Sequence, residues 1–172
     1  IYAMRCARQA LAHDSQFEPA IPLWLATNFR KQANLSDENA RRKAASLPEV
    51  QDPTQPAAQP GPAYYAKAAG AKYLQAVLKQ GLDEGNLAVA VGAIAALRDT
   101  TGAESLITTM DRQGGAQPLV AALNCPTRLV RYMAAETLAL ARPNRRFTGS
   151  HLVVPRLVEA VRQTGAMGVV LA

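Results

Sequence analysis

The sequence predicts an all-α protein: a solenoid of stacked helix pairs, preceded by a helical hairpin and a proline-rich linker. Two observations carry this. Leu78, Leu82, Val89, Ala93 and Leu97 recur 41 residues later as Leu119, Leu123, Val130, Ala134 and Leu138. A partial third copy begins at Leu157, Val158, Ala160 and Val161. A period near 40 residues belongs to helix-pair repeats, which bury their apolar faces only by stacking. The second observation is compositional. Hydrophobic residues make up 49% of the 172, but aromatics only 5%. The core must therefore be Ala, Leu and Val, whose small side chains let helices approach closely.

The elements follow in order. Residues 1–13 read as a helix with Ala3, Met4, Ala7, Ala10 and Leu11 at helical spacing, closed by His13, Asp14 and Ser15. A second helix is expected over 19–33. Pro19 and Pro22 suit its first turn, and Ile21, Trp24, Leu25 and Phe29 form its buried stripe. A polar helix is expected over 36–44. Residues 47–62 then carry five prolines and three glutamines, too polar to fold alone. They read as an extended linker or as a strap laid along the array.

Helices resume at 63–80, with Tyr65, Ala69, Tyr73, Leu74, Val77 and Leu78 inward. Gly81 and Gly85 bracket a turn, and Asn86 caps a helix carrying Leu87, Val89, Ala90, Ala93, Ile94 and Leu97. Thr100, Thr101 and Gly102 stop it. A short helix over 104–110 ends before a break at Gly114 and Gly115. The second copy opens at 118–123, turns at Cys125-Pro126 with Thr127 as cap, and continues over 129–141. Residues 142–149 form a loop, and Ser150 caps a last helix to about 163. The resulting division is 1–46, 47–62, 63–165 and 166–172. The last stretch reads as the start of a following segment in a longer protein, since the chain begins with Ile1 and ends in an apolar run.

The segment with Leu119, Leu123, Val130, Arg131, Ala134-Ala135 and Leu138 resembles a HEAT repeat. That family sets an apolar helix, a short acidic turn, Val-Arg, an alanine pair and a leucine. Asn124 stands where the turn usually has Asp. The earlier copy has Asp83 there but Ala90 in place of the arginine. The resemblance covers about 63–163 and implies a solenoid, with these residues structural. Ala3, Ala7, Ala10, Leu11 and Asp14 resemble the end of a tetratricopeptide repeat, with Ser15 where proline is usual.

Catalytic and cofactor chemistry finds no footing. His13 and His151 are far apart and read as surface or capping residues; Cys6 and Cys125 lack CxxC spacing and read as buried thiols in helices. No nucleophile with a base and an orienting acid can be assembled. Gly81 and Gly85 lack the following Lys-Ser/Thr of a phosphate loop. The expectation is a non-enzymatic protein with no cofactor and no metal.

The net charge is +6, which favours acidic partners. The basic residues Arg128, Arg142, Arg145, Arg146 and Arg156, with Phe147, are the candidate partner-binding residues. Repeat stacking would have to bring them onto one edge. The expected function is a scaffold that holds a protein partner, an acidic one on this charge balance. The alternative is a solenoid that binds nucleic acid through its basic edge, since backbone phosphates need no base reading. Some alkylation-repair DNA glycosylases are HEAT-like solenoids with a basic groove, but they also need groove aromatics and a catalytic acid, and Trp24 lies outside the HEAT-like part. No run approaches the ~20 apolar residues of a membrane helix. No signal peptide is evident; the compartment stays open, with an intracellular one favoured.

Overall fold

The computed structural model describes residues 2–15, 17–53, 61–100, 102–107 and 117–165. All regular structure among them is helical, with no strand. The helices are α1 (Tyr2–His13), α2 (Ala20–Ala44), α3 (Pro62–Asp83), α4 (Leu87–Thr100), α5 (Ala103–Ile107), α6 (Pro118–Ala121), α7 (Arg128–Ala141) and α8 (Ser150–Gly165). A 3₁₀ turn, Ala122–Asn124, extends α6.

Helix α2 corrects one expectation. The two helices over 19–33 and 36–44 are a single element of 25 residues. Asn34, Ser36 and Asp37 are weak helix formers, but no glycine or proline separates the halves, so the backbone ladder runs through. The helix stops where Ser46 enters the left-handed region at φ 55°. Leu47 N–H then bonds Arg42 O (2.8 Å) and Ser46 N–H bonds Lys43 O (3.0 Å), closing the last carbonyls.

After that turn the chain doubles back along α2. The Asn39 amide donates to Val50 O (3.1 Å) while its Oδ1 accepts from Val50 N–H (2.8 Å). Arg42 Nε donates to Pro48 O (2.7 Å), and Lys31 pairs with Asp52 at 2.5 Å. Residues 47–53 have no regular structure, as composition requires, yet they form a strap rather than a free spacer. The rest of the proline-rich stretch, 54–60, lies outside the described residues.

Helix α3 was expected to be continuous and is not. Gly70 breaks it with φ 79° and ψ 177°, a conformation that only glycine holds without strain. Tyr65, expected inward, is exposed on the short N-terminal arm; Tyr73 is half-buried. Leu87 and Leu129 also face solvent. The α3–α4 turn follows the sequence reading. Gly85 is left-handed at φ 62°, and Asn86 Oδ1 accepts from Val89 N–H at 3.4 Å. Thr127 differs: it precedes α7, but its side chain makes no capping bond. Ser150 is the first residue of α8 rather than its cap. The break expected at Gly114-Gly115 lies outside the described residues.

The core is one continuous cluster. It runs from Leu25, Ala26 and Phe29 of α2 through α3 and α4 to Leu119, Leu123, Val130, Ala134 and Leu138. Of the ten recurring positions, nine are buried; Leu82 is half-buried. Close approach is built in at two glycines. A Cβ on Gly81 would stand 2.8 Å from Ala90 N, and one on Gly92 would stand 2.7 Å from Cγ of Phe29. Helix α3 packs on α4 and α6, α4 packs on α7, and α7 packs on α8.

Candidate interaction site

The region holding the six candidate residues is built on α7, and that helix separates them. Arg128 opens α7; Arg142 follows its end in the left-handed conformation, φ 47°. Fourteen residues at 1.5 Å each put the two about 20 Å apart. Arg128, Arg142, Arg145 and Arg146 are exposed. Phe147 is half-buried and packs back onto the core cluster. The structure thus gathers Arg142, Arg145 and Arg146 in one loop and leaves Arg128 at the other end of the helix.

Arg156 lies beside the start of α7, and its guanidinium is committed to internal bonds. Its Nε donates to Leu123 O (3.1 Å) and its Nη1 to Glu159 Oε2 (3.0 Å). Glu159 Oε1 accepts in turn from Arg131 Nη2 (3.1 Å). Arg131 Nη1 donates to both Cys125 O and Pro126 O, each at 2.8 Å. One carboxylate therefore joins two guanidiniums and fastens α8 to the turn that precedes α7. Arg131 thus satisfies the carbonyls of the turn before α7. The Arg156 hydrogen bond, more than any other influence, holds the Glu159 carboxyl below the ordinary carboxylate value; burial opposes it. Burial pushes the Tyr132 phenol up, with the Glu159 carboxylate adding to the effect.

Sequence reasoning missed Glu159, which carries no local signal, and two further features. Gln75, buried in α3, accepts from Leu119 N–H at 3.1 Å and so caps α6 from another helix. Trp24 of α2 and Tyr65 of α3 meet edge-on at 5.1 Å, and Tyr65 meets Tyr64 at 5.6 Å.

His13 and His151 are exposed. The two thiols, expected to be buried in helices, are not: Cys6 is exposed on α1, and Cys125 is half-buried in the turn after Asn124, both free. Among the described residues no three His, Cys, Asp or Glu side chains gather where a metal ion could be held. No described helix is long and apolar enough to cross a membrane. No protein-family model, curated protein or solved structure matches this chain.

Proposed function

We propose that residues 63–163 are a HEAT-like repeat array and that the chain is a non-enzymatic scaffold for a protein partner. The observation that carries the reading is how equivalent helices meet. The first helix of one copy, α3, packs on the first helix of the next, α6; the second, α4, packs on the second, α7. Stacked repeats make contact in this way, whereas their outer surfaces stay open for binding. The α1–α2 hairpin, with Ala7 and Ala20 buried between helices, supports a tetratricopeptide-like pair leading into the array.

The loop 142–149 is the binding element of this proposal. It exposes Arg142, Arg145 and Arg146, with Phe147 packed back onto the core, and suits an acidic protein surface. Replacing Arg145 and Arg146 by Ala should leave stability within about 0.5 kcal/mol, as for ordinary surface sites. Proteins retained on the immobilised wild-type chain from cell extract should be lost from the double variant. Unchanged retention would remove the loop from the interface. Tight binding of random duplex DNA that collapses with added salt would favour the nucleic-acid reading instead.

A further inference from the structure

The strap of residues 47–53 lies along one stripe of α2. Lys31, Leu35, Asn39 and Arg42 follow one another at three- and four-residue spacing, and all four are half-buried. The strap runs antiparallel to that stripe. Arg42 holds Pro48 O, Asn39 holds Val50 and Lys31 holds Asp52. From Arg42 to Lys31 the helix rises about 16 Å, and the four steps from Pro48 to Asp52 reach about 14 Å at full extension. The strap is therefore extended, and the long Lys31 side chain spans the remainder.

The groups that hold the strap do not depend on its belonging to the same chain. Asn39 donates to the carbonyl and accepts from the amide of one residue, Val50. Every residue but proline offers that pair. Arg42 also takes a backbone oxygen, whereas Asp52 is held by its carboxylate. Val50 is 37% exposed, and Glu49 and Gln51 are exposed as well. A segment that buries so little apolar surface opens readily. Backbone pairing for affinity with a side-chain contact for selectivity is how extended peptides are bound. Charge fits too. Residues 30–43 hold five basic side chains against two acidic ones, and 47–53 hold Glu49 and Asp52 with no base.

We propose that this stripe of α2 is a receptor for an extended acidic peptide of a partner protein, and that 47–53 is its intramolecular occupant. The partner segment carries a carboxylate two residues beyond the residue that Asn39 pairs, and it displaces the strap. No residue of 63–163 takes part, so this site stands or falls apart from the repeat reading.

The test uses the full 172-residue chain labelled with nitrogen-15 and follows the side-chain N–H resonances of Asn39 and Arg42. The probe is the peptide Leu-Pro-Glu-Val-Gln-Asp-Pro, blocked at both ends. Val50→Pro with Asp52→Lys removes the amide that Asn39 Oδ1 accepts from and sets a like charge against Lys31. The strap should leave, and both resonances should move. The peptide should return them to their wild-type positions. Its half-saturation should lie at least about tenfold below that of the wild type, whose own strap competes at an effective concentration in the millimolar range. The same peptide with Lys in place of Asp should have no effect. Unmoved resonances in the variant, no return at millimolar peptide, or equal action of the two peptides would each overturn the proposal. If the double variant loses helix by circular dichroism, Asp52→Lys alone gives the same readout. Wild-type resonances that change on dilution would name the strap of a second copy as the occupant and overturn the intramolecular assignment.

Discussion

Ala134→Asp is expected to cost on the order of 3 kcal/mol or more, the cost of an unpaired charge in close packing. Ala134 is fully buried on α7, in the same cluster as Leu97, Leu123 and Leu138. It is the counterpart of Ala93, which is equally buried on α4. An alanine at both positions lets the stacked helices touch, and a carboxylate there has neither room nor partner. Urea unfolding monitored by circular dichroism measures the loss directly. A variant that unfolds like the wild type would place Ala134 on the surface and break the register.

Phe29→Ala is expected to cost about 3–5 kcal/mol, the usual range for removing a buried aromatic. Phe29 is 6% exposed, and its ring lies against the bare Cα of Gly92 on α4. This notch and the side chains around it seat α2 against α4. Gly92→Ala attacks the same contact from the other side, because the new methyl would sit 2.7 Å from Cγ and 2.9 Å from Cβ of Phe29. The Cβ cannot swing away, so α2 itself must shift, an overpacking cost of about 1–3 kcal/mol. The two substitutions should be strongly non-additive, since each removes what the other depends on. Additive costs would mean that Phe29 and Gly92 do not meet.

How the sequence relates to the fold is clearest at particular residues. The helices, the recurring core positions and the Gly85-Asn86 turn were legible because each depends on near neighbours in sequence. Volume at Ala93 and Ala134, a glycine at a left-handed position and an Asx cap are local demands. The joined α2 and the kink at Gly70 were not legible. In one, weak helix formers were carried by the surrounding ladder; in the other, a glycine amid alanines gave no sign that it would leave the helical region. The candidate site was legible only in part. The loop arginines are exposed as composition suggests, but Arg156 faces inward because Glu159 and Leu123 O receive it. The Arg131–Glu159 bond joins residues 28 apart, and Lys31 and Asp52 are likewise brought together only by the folded-back strap. No short-range pattern announces such pairs. Phe147 shows the same limit: its burial depends on which surface the loop lies over.

The central claim is that α3–α4 and α6–α7 are successive units of one repeat. An experimental structure tests it by superposing residues 78–97 on 119–138. The account predicts that Leu78, Leu82, Val89, Ala93 and Leu97 fall on Leu119, Leu123, Val130, Ala134 and Leu138, with α3 beside α6 and α4 beside α7 along one stacking axis. Two pairs facing each other across a closed bundle, with the recurring residues out of register, would contradict it.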